Sequence, residues 1–187
     1  MDLFSRIAKR YENIVGPFDY EKLRDFFPID SEELILDLGG GTGRVAKFLK
    51  EEANDCLILD RLFEMLQQSR NHRNDFLLVQ GRSESLPFRK NSFGQIFIND
   101  TLHHVQNQEK TLNECNAILL KQGQVIIREF DRKYFWNLLL ILFEKIMRFK
   151  SKFYSPKELQ KLCEELNLEV YYRRPSKATF VLVGKKK

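Results

Sequence analysis

The chain has few cysteines and no long apolar run. Cys56, Cys115 and Cys163 are odd in number and scattered through 187 residues, a usage that speaks against a disulfide framework or a zinc site and for a reducing, cytoplasmic setting. No apolar stretch reaches the length of a membrane span. Near the N-terminus Asp2, Arg6, Lys9 and Arg10 break up the apolar positions, so that segment lacks the apolar core of a signal peptide. Strong charge of one sign is missing too: 31 Lys and Arg against 26 Asp and Glu give a formal +5. Much of this excess lies in Lys185, Lys186 and Lys187 and between positions 145 and 152. A solvated tail accounts for it, and an anionic membrane surface or nucleic acid is the sharper reading, with no nucleic-acid partner expected. The length suits a single domain and is short for two.

What is present is concentrated between positions 34 and 49. Leu34, Ile35, Leu36 and Leu38 form the apolar run of a strand buried on both faces, and Val45, Ala46, Phe48 and Leu49 fit one stripe of a helix. Gly39, Gly40, Gly41 and Gly43 lie between them. A strand, a bare loop and a helix N-terminus make a seat for a nucleotide-type cofactor at the carboxyl end of a parallel strand. The pattern alone fits two cofactors. Gly41-Thr42-Gly43-Arg44-Val45-Ala46 satisfies the dinucleotide fingerprint, while Asp37-Leu38-Gly39-Gly40-Gly41-Thr42-Gly43 satisfies the acidic-x-Gly-x-Gly-x-Gly loop of S-adenosylmethionine enzymes. Charge favours the second. A carboxylate at Asp37 would repel a pyrophosphate a few Å away by roughly 1 to 4 kcal/mol, and would favour an ammonium or sulfonium.

Strand and helix patterns then alternate. Positions 56–60 read as a second strand ending in Asp60, nineteen residues beyond Gly41, near the offset at which a carboxylate accepts ribose hydroxyls; capping of the next helix is the plainer role for it. Further strands are expected over 76–79, 93–98 and from 125. A helix over 108–120 is expected to stop at Gly123. A good helix start at Ser155-Pro156-Lys157-Glu158 precedes two last strands over 168–172 and 179–183. Ahead of the first strand, Leu3, Phe4, Ile7, Ala8, Tyr11 and Ile14 have helical spacing, and a second short helix is expected over 20–27, ended by Pro28. The expected fold is α/β, a doubly wound Rossmann-like sheet of seven mostly parallel strands with an antiparallel last strand. Its parts are capping helices over 1–30, a cofactor-binding core over 34–130, an apolar helix over 133–150 as a substrate lid, and a closing helix and strand pair over 155–184.

Four motifs follow one another in a telling order: Asp37-x-Gly-Gly-Gly-Thr-Gly, Asp60-x4-Met65-Leu66, Gly81-x-Ser-Glu-x-Leu86-Pro87-Phe88 and Leu102-His103-His104-Val105. In this the chain resembles the UbiE-like (methyltransferase type 11) branch of the class I S-adenosylmethionine-dependent methyltransferases. The resemblance implies S-adenosylmethionine as cofactor and S-adenosylhomocysteine as product. It implies that Gly39, Gly40 and Gly41 hold the methionine part with Asp37 beside them, and that Asp60, flanked by Arg61, holds the ribose. Met65 would pack near the adenosine, Ser83 and Glu84 would meet the adenine edge, and Asn99 would face the methionine end. Tyr11 is placed to reach the ligand from the first helix, though packing alone also explains it. Arg82 departs from the pattern, standing where relatives place an acid that accepts the adenine amino group. One lost bond of that kind costs on the order of 1 kcal/mol, about fivefold in affinity. Arg82, with Leu62 and Gln122-Gly123-Gln124, also keeps open a catalytically degenerate cofactor-binding module.

His103 has two readings. A histidine after the fourth strand can accept a proton from a phenol, amine or enol; otherwise one imidazole is bonded to backbone and fixes the loop while its neighbour is exposed. The segment over 134–149 is almost apolar all round in its first half and flanked by basic residues. Burial is the expectation for such a helix. The alternative is an apolar surface meeting a membrane or a lipidic methyl acceptor.

Overall fold

The computed structural model describes residues 3–15, 29, 32–53, 55–72, 75–146 and 151–187. The short helix expected over 20–27 and the Gly16-Pro17 stop before it lie outside the described residues. Seven strands form one sheet: β1 Ile35–Leu38, β2 Cys56–Asp60, β3 Leu77–Gln80, β4 Phe93–Asn99, β5 Leu119–Phe130, β6 Leu168–Arg173 and β7 Thr179–Lys186. Their order is β3-β2-β1-β4-β5-β7-β6. β1 to β5 run parallel. β7 is antiparallel to both β5 and β6, which is the expected antiparallel close of the sheet.

The two-residue alternation of the central strands feeds two apolar layers. Leu36, Leu38, Ile96, Ile98, Val125 and Ile127 face one way, onto α5 (Gln108–Ile118) and α7 (Pro156–Glu165). Ile35, Ile58, Phe97, Ile126 and Val181 face the other way, onto α3 (Arg44–Glu52) and Leu66 of α4 (Phe63–His72). The chain runs β1-β2-β3 toward one edge and resumes with β4 on the other side of β1. This opens a crevice at the carboxyl ends of β1 and β4, where such sheets take their ligands.

Three expectations need correction. The first amphipathic segment is not one helix: α1 (Leu3–Ile7) and α2 (Tyr11–Val15) flank a 3-10 turn at Ala8–Arg10. Gly123 does not stop α5, which ends at Ile118; Leu119 already pairs with Phe93, and the register between β4 and β5 shifts before Gln124. A Cβ at Gly123 would lie 2.8 Å from the Gly94 carbonyl, so this glycine permits two strands to approach. The third concerns α6 (Phe135–Ile146): Phe135, Trp136, Leu138 and Leu142 are 67, 63, 49 and 53% exposed. Among its described side chains the buried one is polar. Asn137 Nδ2 donates to the Asp131 and Ala178 carbonyls at 2.9 and 2.7 Å. At α7 the expected capping box is present, with Ser155 N–H donating to Glu158 Oε2 at 2.8 Å.

Candidate cofactor and acceptor site

β1 delivers Asp37 and the glycine bend to the crevice. Gly39, Gly41 and Gly43 have φ of +74, +57 and +83°, conformations that side chains rarely adopt. Most of the space freed by the missing Cβ atoms is taken by the protein itself. A Cβ at Gly39 would overlap Thr101, and one at Gly40 would overlap Asp37 Oδ2 and lie 2.9 Å from Ile58. Gly41 differs: its nearest neighbours would be the flexible end of Met65, at 3.1 Å, and Asp60 Oδ2, at 3.8 Å. Gly41 is therefore the position of the bend that faces the candidate ribose and adenosine residues.

Asp37 is 1% exposed. It accepts the Ala46 N–H at the start of α3, and burial, followed by the nearby charge of Asp60, pushes its pKa up to about 7. Its Oδ2 has no hydrogen-bond partner. It sits beneath Gly40 and ties the loop to α3, beside the bend as expected. Of the two roles weighed for Asp60, the structure shows the bond at the helix start, together with one to the bend. Oδ2 accepts the Gly41 N–H at 3.0 Å and Oδ1 accepts the Leu62 N–H at 2.8 Å ahead of α4. Burial raises the Asp60 pKa, against these two bonds. Two buried carboxylates under one loop repel a diphosphate and suit a cation.

The other expected residues gather around this pair. Met65 is buried against the bend. Arg61 is exposed beside Asp60, and its carbonyl accepts from Gln80 at 3.2 Å. Tyr11 comes over the loop: Arg44 donates to its hydroxyl, burial raises its pKa, and Asp100 and Asp60 lie within its electrostatic reach. Packing alone does not describe it. Ser83 Oγ accepts from Thr111 at 3.2 Å, and Glu84 Oε2 lies 3.7 Å from Arg82 Nε. Arg82 also reaches Gln106, at 3.5 Å, so the residue that departs from the motif has partners of its own.

At the ends of β4 and β5, Asn99 Oδ1 accepts from Arg128 Nη1 at 3.3 Å, and the same Nη1 is paired with Asp100 Oδ2. Thr101 Oγ1 donates to the Gly39 carbonyl at 3.3 Å, joining this corner to the bend. His103 is 3% exposed, stacked on Phe153 at 4.4 Å, with Nδ1 2.6 Å from Glu129 Oε2. The partner of Nδ1 is a carboxylate. His104 is half-buried against Phe4 and bonded to Ser151 at 3.2 Å, not exposed. Sequence reasoning missed Arg128, Asp100, Glu129 and Glu12. The charged pair Arg128-Glu129 closing an apolar strand was a visible signal. Glu12 was not: it accepts from Thr42 at 2.8 Å and pairs with His72 at 3.2 Å.

The residues present fit S-adenosylmethionine. The bend has its one open glycine beside Asp60, and an unpartnered carboxylate oxygen lies buried beneath it. Among the described residues there is no group of three or more His, Cys, Asp or Glu that could hold a metal ion.

Comparison with known proteins agrees. Residues 36–127 match the family described as Methyltransferase domain. A demethylmenaquinone methyltransferase of Thermotoga maritima is 29% identical over 164 residues, 83% of this chain and 67% of that protein. A ubiquinone/menaquinone biosynthesis C-methyltransferase UbiE of Hahella chejuensis is 26% identical over 68% of this chain. The chain spans 61% of the length of that relative. A solved S-adenosylmethionine-dependent methyltransferase from Thermotoga maritima superposes with a TM-score of 0.80 at 26% identity, covering 98% of each chain. The dinucleotide reading gives way to this agreement. With its acidic-glycine bend, its Asp60 and its sheet order, the chain belongs to the class I S-adenosylmethionine-dependent methyltransferases, in their UbiE-like branch.

Proposed function

We propose that the acceptor is a small phenol- or quinol-type ring carrying an apolar tail, methylated where the carboxyl ends of β4 and β5 meet the glycine bend. The observation that carries this reading is α6. Directly after β5 it exposes Phe135, Trp136, Leu138 and Leu142, more contiguous apolar surface than scattered surface residues explain. Exposed Lys133 and Arg132, the latter paired with Glu158, flank its start. This is the chemistry of a helix that meets a lipid tail or a membrane surface with cations at the headgroups. The printed names of the relatives, demethylmenaquinone methyltransferase and ubiquinone/menaquinone C-methyltransferase, agree with a quinone-class acceptor. The proposed contact is peripheral; among the described residues no helix is long and apolar enough to cross a membrane.

The bound cofactor supplies an electrophilic methyl on a sulfonium, and the protein's task is alignment. Asp60 and the backbone of Gly39, Gly40 and Gly41 orient the adenosyl and methionine parts, with Met65, Ser83 and Glu84 along the adenosine. Asn99 and Tyr11 close the methionine end. We assign His103 a positioning role. Held by Glu129 and Phe153, it fixes the 3-10 turn Leu102–His104 beside the transferred methyl, and in-line transfer to a ready nucleophile needs correct geometry more than a base.

The test is methyl transfer from labelled S-adenosylmethionine to demethylmenaquinol in anionic vesicles, beside a short-chain quinol, catechol and histamine. Labelled lipid quinol, lost on Trp136→Ser together with vesicle binding, is the expected result. Transfer to histamine alone, or to quinols irrespective of their tail, would overturn the lipidic acceptor.

A further inference from the structure

Arg128 is a cation with one edge in use. In a guanidinium the Nε and Nη2 hydrogens lie along one edge, the edge that grips two oxygens or a single oxyanion. Nη1 of Arg128 is committed to Asp100 and Asn99. Among the described residues neither Nε nor Nη2 makes a hydrogen bond, and Nε is sealed from solvent with no partner. A buried donor left unmade is rare in folded proteins and calls for an explanation. Asp100 Oδ1, on the partner carboxylate, is likewise buried and unpartnered. Burial raises the Asp100 pKa while Arg128 lowers it.

The place of this pair is as informative as its chemistry. Arg128 stands opposite Asn99 in the β4–β5 register, one strand farther from β1 than the Asn99–Thr101 corner that touches Gly39. It therefore lies on the acceptor side of the crevice. Asp100 anchors the guanidinium by Nη1, which keeps the opposite edge preset in one orientation.

We propose that the Nε–Nη2 edge of Arg128 binds the oxygen of a phenolic acceptor as its anion. The inference rests on the phenol- or quinol-type reading above and deepens it. An acceptor O–H gives its proton to solvent, the oxyanion is held by the guanidinium, and the ionised ring is the stronger nucleophile toward an electrophilic methyl. Arg128 thereby selects acceptors that ionise to an oxyanion over amines, which bring a donor to a donor edge.

The experiment titrates 4-nitrophenol, whose phenolate absorbs visibly, on the full chain saturated with S-adenosylhomocysteine. The bound phenol is expected to ionise at a pH at least one unit lower than in buffer, a tenfold preference for the anion. Arg128→Gln should abolish the shift and Arg128→Lys should keep part of it, both with unchanged S-adenosylhomocysteine binding as a check on folding. Absence of binding to the wild-type chain, an unshifted phenol, or a shift that survives in a folded Arg128→Gln variant would each overturn the assignment. The readout uses neither a lipid tail nor turnover. A failed vesicle assay with a positive titration removes the lipidic acceptor and keeps Arg128, and the opposite pair of results does the reverse.

Discussion

Nδ1 of His103 and Oε2 of Glu129 lie 2.6 Å apart, both side chains nearly closed to solvent and twenty-six positions apart in sequence. The Glu129 carboxylate also accepts the His103 backbone N–H at 3.3 Å, so one acid holds both the ring and the chain of the turn after β4. Glu129→Ala is expected to cost about 1 to 3 kcal/mol, because it leaves buried donors unmade, read as a lower urea midpoint. His103→Asn should lower the melting temperature, while methyl transfer by the folded fraction falls less than about tenfold. A loss of about a hundredfold or more at unchanged melting temperature would mark His103 as a general base instead.

Asp60 joins cofactor seat and helix start, so its removal should show in two measurements. Asp60→Ala is expected to weaken S-adenosylhomocysteine binding on the order of tenfold or more by calorimetry, since a charged hydrogen-bond partner is worth roughly 1.5 to 3 kcal/mol. The same change should lower stability without ligand, through the orphaned Gly41 and Leu62 N–H groups.

Gly40 and Gly41 should respond differently to alanine. At Gly40 a methyl meets Asp37 Oδ2 and Ile58, and overpacking of this kind costs about 1 to 3 kcal/mol. At Gly41 the methyl meets only the yielding end of Met65, and the penalty is the left-handed φ of +57°, about 1 kcal/mol. Urea melts should rank Gly40→Ala as the less stable, while cofactor calorimetry should show Gly41→Ala impaired beyond its small loss of stability.

Asp37 sets a pH dependence of definite sign. Its folded pKa, about 7, lies above the 3.8 of an ordinary Asp carboxyl, so the native chain holds a proton that the unfolded chain has released. Stability from this group is full below 3.8, declines as pH rises, and is lost through about 7. Asp37→Asn, which keeps the acceptor for Ala46 without the charge, should match the wild type near pH 4 and exceed it in urea midpoint at pH 8. Equal midpoints at both pH values would refute the assignment.

The architecture was legible because its signals are local. Each strand shows as a short apolar run, the bend as clustered glycines, and the α7 start as Ser155, Pro156 and Glu158 within four positions. Asp60 was legible by its distance from Gly41. What stayed hidden depends on contacts across the fold. Nothing near Glu12 in sequence announces Thr42 or His72 as its partners. The apolar character of α6 points to burial, yet among its described side chains the one that goes inside is Asn137, because two backbone carbonyls, at Asp131 and Ala178, wait there for a donor. Gly123 reads as a helix stop because glycine often serves that purpose, whereas here it lets β5 pass close to Gly94.

Glu12 grips Thr42 in the glycine bend and His72 at the far end of α4, while Ser5 of the same leading segment bonds Glu64 at 3.1 Å. Residues 3–15 are thus latched to the two pieces of chain that carry the candidate donor site. Substitutions in this latch are expected to change the dwell time of product without changing which acceptor is methylated.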